Sequence, residues 1–314
     1  AIGTTSGGTD VVDWTDNSTT TSVTKTALTL TNGTTYYVSV RATDNVGNIS
    51  TVATADGITV DTDNPVLTTP IEGSLATDID YQNSGSELII SWSGSDPASG
   101  IAFYEYALGT TSGATDAVTW TSTATTTADT LTGLSLTEGT TYYLSVRATD
   151  VAGNMSSVSS ADGITIDLTA PAGTTVSDGT GDDIAYTGSD TTLSANWTAF
   201  TEAVSGLQKY EYAIGTTIDY AVPGSGGTDV LTWTDNSTTT SVTKTGLTLT
   251  SGSTYYISVR GTDNAGNVSQ TVYIISSNGV TVDTAAPSAG SVTDSSSTDL
   301  DWTKSTSTLT GVWT

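Results

Sequence analysis

Apolar and polar residues alternate in short segments along the whole chain, and turn-forming residues separate these segments roughly every 8–12 positions. In one segment Tyr104, Tyr106 and Leu108 share one face of a predicted strand, and Glu105 lies on the other face. A comparable alternation leads up to Trp92. Because period-two alternation with frequent turns is typical of a β-sandwich, we predict an all-β chain with about seven short strands in each repeat.

The strand pattern occurs three times, in copies whose matching segments begin 106 residues apart at Ala1, Ala107 and Ala213. The first and third copies are closely alike, since 35 of 43 aligned positions are identical between ranges 6–48 and 225–267. This period is too long for a solenoid coil and suits one sandwich domain per copy. The predicted fold class is therefore all-β, with tandem Greek-key β-sandwich domains in a rod-like array.

The register of the repeats divides the chain into two complete and two partial domains. Copy one, at 1–62, is expected to be a partial sandwich of strands C′ to G. Copies two and three, at 63–168 and 169–284, are expected to be complete, and copy three has an insertion near 218–224. Copy four, at 285–314, would supply strands A and B alone. Because half-sandwiches expose their core faces, we expect them to lie in a longer array or to be completed by neighbouring repeats of an identical chain, and we favour the first.

Three segments with a Leu before a Gly turn and a Tyr after it resemble the E–F corner of fibronectin type III domains. These segments are Leu30–Val40, Leu136–Val146 and Leu249–Val259. The resemblance implies tyrosine corners, with hydroxyl groups bonded to the backbone, at Tyr36, Tyr142 and Tyr255. It also implies a buried Trp on strand B, at Trp92, Trp197 and Trp313. The usual Pro before the corner Gly is replaced, by Asn32, Glu138 and Ser251. The resemblance says little about function, because this fold carries many unrelated roles.

The composition excludes several classes of chemistry. The chain has a formal net charge of −26, no His and no Cys. It therefore has no Ser-His or Cys-His nucleophile pair and no imidazole or thiolate zinc site. So acidic a chain is repelled by nucleic acid and by anionic lipid, and no apolar run is long enough to insert in a membrane. We expect no catalytic residue.

The three junctions between copies carry the candidate metal ligands. The ranges 57–65, 163–171 and 279–287 contain a Pro and no Gly or Ser run, so they are expected to be short and stiff. The candidate calcium ligands are Asp61, Asp63, Asp167 and Asp283. Carboxylates near Asp-Asn turns suit calcium, which takes six to eight oxygen ligands. They resemble the Asp-containing linkers of bacterial adhesin extender repeats, which hold calcium between domains. The alternative is that these residues only cap turns.

Aromatic residues at one repeated position are the candidate ligand-binding groups. Trp14, Trp120 and Trp233 follow strand C, where the fibronectin-like pattern has no characteristic Trp. Exposed, they could stack on sugar rings. The alternative, which we favour, is that they close one end of the core, because Val118 precedes Trp120 by two residues on the same predicted face. On strands C and F, ion pairs are expected between Arg147 and Glu105 and between Arg260 and Glu211.

Two further repeated features have structural interpretations. Acidic pairs early in each sandwich predict a solvated edge strand rather than a catalytic pair, at Asp78 and Asp80, Asp182 and Asp183, and Asp299 and Asp301. Seven glycosylation sequons also occur, at Asn17, Asn32, Asn48, Asn154, Asn196, Asn236 and Asn267. Several arise by chance in a chain so rich in Ser and Thr, so glycosylation stays open.

These features together predict a non-catalytic spacer, stalk or filament segment of a large bacterial extracellular or cell-surface protein, such as an adhesin. Its expected partners are neighbouring repeats, with a glycan or a cell surface as a further candidate, and calcium is its candidate cofactor. One alternative function is a module that binds glycans or a host surface. Another is an accessory array of a secreted hydrolase.

Overall fold

The computed structural model describes residues 1–218, 227–269, 275–294, 302–303, 305 and 307–313. The predicted insertion near 218–224 and the acidic pair Asp299 and Asp301 lie almost wholly outside this part. The described residues form strands and turns without an α-helix, which confirms the all-β prediction. They group into two compact units. The first comprises Ala1–Thr169, Ala203–Gly206 and Asn264–Asn267, and the second comprises Ala170–Glu202, Leu207–Asp263 and Val268–Thr314.

Strands in the first unit belong to copies one and two. In copy one they are β1 (Ile2–Gly3), β2 (Thr35–Val40), β3 (Ala53–Thr54) and β4 (Ile58–Thr59). In copy two they are β5 (Val66–Leu67), β6 (Ile71–Glu72), β7 (Tyr81–Gln82), β8 (Glu87–Ser91), β9 (Gly94–Ser95), β10 (Ile101–Gly109), β11 (Val118–Ser122), β12 (Ala128–Thr132), β13 (Thr141–Asp150), β14 (Ser159–Ser160) and β15 (Ile164–Ile166).

Copy two is a sandwich of two sheets. One has the order β12-β8-β6, and the other has the order β11-β10-β13-β15-β7, with β14 also paired to β13. Before β8 the chain pairs in three places: β5 with β9 in a separate two-stranded sheet, β6 antiparallel with β8 in the first sheet, and β7 parallel with β15 in the second. Between the sheets, alternate residues such as Leu88, Ile90, Leu144 and Val146 are fully buried. The predicted alternation of Tyr104, Tyr106 and Leu108 inward and Glu105 outward is confirmed.

A β-bulge changes the register between β10 and β11. Tyr106 lies opposite Thr121 and Leu108 lies opposite Val118, so the pairing shifts by one residue between them. Val118 therefore packs against the core, whereas Trp120 is displaced to the outer face of the sheet. The sequence pattern assumed a regular strand and for that reason placed both residues on one face.

Copy one forms a small sheet with an exposed apolar face. β2 pairs with β1, β3 and β4, and none of residues 4–34, all of which are described, belongs to a strand. The expected strands C′ and E are therefore absent there. Strand E of copy two, β12, forms by pairing with β8, and residues 1–62 contain no counterpart of β8. Val40 and Ile58 are 63% and 69% exposed, whereas their counterparts Val146 and Ile164 are fully buried.

Strands in the second unit belong to copies three and four. In copy three they are β16 (Val176–Asp178), β17 (Tyr186–Thr187), β18 (Leu193–Trp197), β19 (Leu207–Gly215), β20 (Leu231–Asp235), β21 (Ser241–Lys244), β22 (Thr254–Asp263), β23 (Ile275–Ser276) and β24 (Val280–Val282). In copy four they are β25 (Val292–Thr293) and β26 (Val312–Trp313).

The second unit repeats the sandwich. Its sheets have the orders β16-β18-β21 and β17-β24-β22-β19-β20, with β23 paired to β22. The core contains Leu193, Ile214 and Ile257. Copy four is a two-stranded ribbon, and Trp313, which the resemblance places on strand B of this partial sandwich, is 76% exposed. In residues 285–314 the structure describes no second sheet that could cover it.

The three tyrosine corners form as expected. Tyr36, Tyr142 and Tyr255 are each at least 94% buried. Their hydroxyl oxygens accept hydrogen bonds from the backbone N–H groups five residues upstream, at distances of 2.8, 3.1 and 2.8 Å. Since a buried hydroxyl group without a partner would be costly, these bonds fix the path of the chain at the corner. The strand B residues Trp92 and Trp197 are also buried, as predicted.

Candidate cation site and aromatic surface

Three carboxylates converge at the junction between copies one and two. Asp61 follows β4, Asp96 follows β9, and Asp150 is the last residue of β13. One oxygen of each side chain lies within 4.8 Å of the corresponding oxygens of the other two. Residues from three distant parts of the sequence are therefore brought to one point by the junction and by two loops of copy two.

Backbone N–H groups donate to all three carboxylates, and Asp96 and Asp150 each accept several of these bonds. Asp96 Oδ1 accepts hydrogen bonds from the next loop, from the N–H groups of Ala98, Ser99 and Gly100 at 3.1, 2.8 and 3.0 Å. Asp150 Oδ1 accepts from the N–H groups of Gly153 and Asn154 at 2.6 and 2.8 Å. Burial opposes ionisation of Asp150, but its hydrogen bonds with Asn154 and Gly153 hold the pKa below its ordinary value. Asp150 is therefore a carboxylate at neutral pH.

Asp61 Oδ1 accepts a hydrogen bond from Asp63 N–H at 3.0 Å, and Asp150 Oδ2 accepts one from the Asn154 side chain at 2.8 Å, but two oxygen atoms of the cluster lack partners. Asp61 Oδ2 and Asp96 Oδ2 are buried and accept no hydrogen bond, and the buried Ser99 hydroxyl group is also unpaired. Within the part of the chain that the structure describes, no Lys or Arg forms an ion pair with the three carboxylates. Three neighbouring negative charges with unused oxygen atoms suit a hard divalent cation such as calcium.

The four predicted metal ligands are not brought together. Only Asp61 belongs to the cluster. Asp63 is exposed, and its Oδ2 accepts a hydrogen bond of 2.7 Å from Asn32. Asp167 is fully buried, and its two oxygens accept from the N–H groups of Thr169 and Ser205, both at 3.1 Å. Asp283 is exposed and caps a turn through Ala285 N–H at 3.0 Å.

Sequence reasoning missed Asp96 altogether and treated Asp150 only as a turn residue. The repeat itself contained a usable signal, since acidic residues recur at the aligned positions of copy three. Asp61, Asp96 and Asp150 align with Asp167, Glu202 and Asp263. A search for carboxylates shared by aligned loops would have found them.

The repeated Trp residues lie under arginine guanidinium groups. The guanidinium carbon atoms of Arg41, Arg147 and Arg260 lie 4.2, 4.4 and 4.4 Å from the ring centres of Trp14, Trp120 and Trp233. Each Trp is half-buried. The interpretation that these residues close the core is wrong for Trp120 and Trp233, because neither packs against the core cluster of its own copy and the bulge turns Trp120 outward. Each pair is a cation–π contact on the sheet surface.

The predicted ion pairs hold the arginines over the rings. Arg147 forms two hydrogen bonds to Glu105, from Nε at 2.7 Å and from Nη2 at 3.1 Å. Arg260 Nε lies 2.8 Å from Glu211 Oε2, and Lys209 Nζ forms a second ion pair with the same carboxylate, 3.3 Å from Oε1. Both predicted pairs are therefore confirmed. One face of each indole is covered, which reduces the surface that a sugar ring could use.

Two features identify the domain type. Strands corresponding to A, B and E form one sheet and those corresponding to C′, C, F and G form the other, and a tyrosine corner precedes strand F. The chain is an array of fibronectin type III-like domains. The same corner is present in copy one, although that copy lacks most of its first sheet.

Comparison with known proteins gives one similar sequence and several similar structures. No family model matches the chain. Exoglucanase B of Cellulomonas fimi is 34% identical over 255 residues, which are 80% of this chain and 20% of that protein. The chain thus spans about a fifth of the length of the relative it matches.

Solved structures of fibronectin type III and related domains are also similar. Chicken CNTN1 domains FN1–FN3 are 18% identical with a TM-score of 0.36, over 79% of this chain and 80% of that one. Titin domains A168–A170 are 14% identical with a TM-score of 0.45, over 79% and 74%. The fibronectin(III)-like modules of Clostridium thermocellum CbhA are 15% identical with a TM-score of 0.37, over 70% and 94%. In the described part of the fibronectin type III-like array, no helix has the length and apolar character needed to cross a membrane.

Proposed function

We propose that this fibronectin type III-like array is a non-catalytic extracellular spacer and that calcium fixes at least one of its junctions. The carboxylate cluster of Asp61, Asp96 and Asp150 is the observation that carries this proposal, because it ties the linker after copy one to two loops of copy two. The short Pro-containing junctions support it, since they leave little free chain between repeats.

The similarity to part of exoglucanase B favours one form of this function, an accessory array of a secreted hydrolase. In that form the array would set the distance between a catalytic domain and other parts of the same protein. A stalk or filament of a cell-surface protein would use the same domains and junctions. Either role places the array outside the cell, where millimolar calcium would be available.

The exposed apolar face of copy one supports a further part of this proposal, contact with neighbouring repeats. Its residues Val40 and Ile58 are exposed, whereas their counterparts in copy two, Val146 and Ile164, are core residues. Strands A, B and E of a fibronectin type III-like repeat are the elements that cover this face in copies two and three. The partner that fits it best is therefore another repeat of the same kind.

Calorimetric titration of the whole chain with calcium chloride tests the cation site. Asp96→Asn keeps Oδ1 as the acceptor for the three loop N–H groups and replaces the unpaired oxygen with an amide, so the variant should fold and lose calcium affinity. Asp63→Asn is the matched control, because Asp63 belongs to the same junction and lies outside the cluster. Equal calcium affinity in the two variants would contradict the site.

A second candidate function is glycan binding at the outer sheet surface of each copy, where Trp14, Trp120 or Trp233 lies. The recurrence of the same Trp-Arg pair in three copies favours it. A soluble glucan should then quench tryptophan fluorescence, with a weaker effect in Trp120→Ala. Trp302→Ala is the control, because Trp302 is exposed and lies outside this surface. Quenching of equal size in the two variants, or none in the parent chain, would leave the Trp-Arg pairs with a structural role alone.

A further inference from the structure

Glu72 is a fully buried carboxyl group without a hydrogen-bond partner. It ends β6, none of its surface is exposed, and neither of its side-chain oxygens accepts or donates a hydrogen bond. A buried carboxylate without a partner is costly, because removing the charge from water is not repaid by any contact. The neutral acid form avoids most of this cost.

Other carboxyl groups surround Glu72. Asp78, on the segment between β6 and β7, accepts a hydrogen bond of 3.2 Å from the backbone N–H of Glu72. Asp162, in the turn before β15, and Asp80 also lie near Asp78. Asp78 and Asp80 are exposed, as the sequence-based interpretation of a solvated edge strand expects, and Asp78 in addition binds the backbone of Glu72.

We propose that copy two contains a proton-dependent clasp, in which Glu72 is held as the neutral acid between β6 and the turn before β15, so that these segments stay packed together only while Glu72 keeps its proton. The clasp fixes the segment between β6 and β7, where the chain passes from one sheet to the other. Because the proton is its ligand, the clasp tightens in an acidic medium and opens in an alkaline one.

A proton accounts for these contacts better than a metal ion does. Among the described residues, the groups of three acidic side chains whose oxygens converge within 4.8 Å do not include Glu72, Asp78 or Asp162. The described Lys and Arg ion pairs involve other acids. Burial, followed by the charges of Asp78 and Asp162, raises the pKa of Glu72 to about 8.

Copy three has a corresponding site in which one of the carboxyl groups is replaced by an amide. Asp178 occupies the position of Glu72 and Asn278 that of Asp162. Asp178 is also fully buried, but its Oδ2 accepts a hydrogen bond of 3.1 Å from Gly279 N–H. Asn278 donates to Asp183 Oδ2 at 2.8 Å without needing a proton. Burial, with the charge of Asp183, raises the pKa of Asp178 to about 6. The clasp of copy three therefore releases its proton at lower pH than that of copy two.

The sign of the pH effect follows from the two states of Glu72. Its ordinary pKa is 4.5, which applies to the unfolded chain, and in the folded domain it is about 8. Between these values the folded domain holds a proton that the unfolded chain does not. The folding equilibrium constant of copy two should therefore fall by up to about tenfold for each pH unit in this interval. The stabilisation is complete below the lower value and is lost as the pH rises through the upper one.

Carbon-13 NMR of the side-chain carboxyl groups tests the clasp directly. The chain has six Glu residues, so selective labelling of Glu gives a simple spectrum. One signal should titrate near pH 8 and disappear in Glu72→Gln. In Asp162→Asn, which copies the arrangement of copy three, the same signal should titrate at lower pH. Hydrogen exchange of β8 should become faster between pH 6 and pH 9, after correction for the intrinsic rate, and this acceleration should vanish in Glu72→Gln.

Two results would overturn the proposal. The first is a Glu72 signal that titrates with the other five Glu residues, since the carboxyl group would then be ionised in the folded domain. The second is a titration that shifts when calcium is added at constant ionic strength, which would assign the carboxyl cluster to a metal ion. Asp162→Asn keeps the test valid even if Glu72→Gln fails to fold. Neither result depends on the junction site of Asp61, Asp96 and Asp150.

Discussion

In copies one to three, the hydroxyl group of one buried tyrosine stabilises the turn that precedes it. Tyr142 is buried beneath its sheet, and its oxygen accepts one hydrogen bond, from Thr137 N–H. Sequence alone predicted this contact, because the Leu-Gly-Tyr spacing of the corner is local. It could not predict Asp96 as a ligand of the cluster, because that role depends on residues more than thirty positions away in either direction.

The tyrosine corner leads to a prediction at the residue scale. Tyr142→Phe should lower the free energy of unfolding of copy two by about 0.5–1.5 kcal/mol, because one hydrogen bond, from Thr137 N–H to the Tyr142 hydroxyl oxygen, is lost. The measurement is urea unfolding of the whole chain, followed by hydrogen exchange of β13. Tyr143→Phe is the matched control, since Tyr143 lies on the outer side of the same strand. Equal effects of the two substitutions would mean that the hydrogen bond contributes nothing measurable.

At the scale of the strands, alternation predicted most of the sheet correctly. β8, β10 and β13 lie where the pattern placed them, because each has one buried face with regular spacing. The bulge between β10 and β11 was not predictable in this way. An extra residue shifts the spacing by one, and whether Val118 or Trp120 faces the core then depends on the partner strand.

The turn before the last strand gives a prediction at this scale. Gly163 has a φ of 107°, and a Cβ atom there would lie 2.7 Å from the ring of Tyr143. Gly163→Ala should therefore destabilise copy two through both backbone strain and this clash, by about 1–3 kcal/mol from the strain alone. Gly153→Ala is the control, because Gly153 has a similar φ of 98° but open space around it. Thermal unfolding should show the larger loss for Gly163→Ala, and the opposite order would refute the role of the ring contact.

At the scale of the whole molecule, the net charge of −26 makes the chain repel itself. The cluster at the first junction adds three carboxylates at close range. A bound divalent cation would offset this local repulsion and join copy two to the linker that precedes it. The sequence predicted a metal at the junctions from Asp61 but not the full set of ligands, which needed the folded loops of copy two.

Thermal unfolding of the whole chain in millimolar calcium and in chelator, at matched ionic strength, tests this account most directly. Calcium at a hundredfold excess over Kd should stabilise the domain that binds it by about 2.7 kcal/mol. The unfolding midpoint should therefore rise with calcium in the parent chain and in Asp63→Asn, and it should rise much less in Asp96→Asn. Superimposable melting curves with and without calcium in the parent chain would contradict the account, and Asp61, Asp96 and Asp150 would then only cap turns.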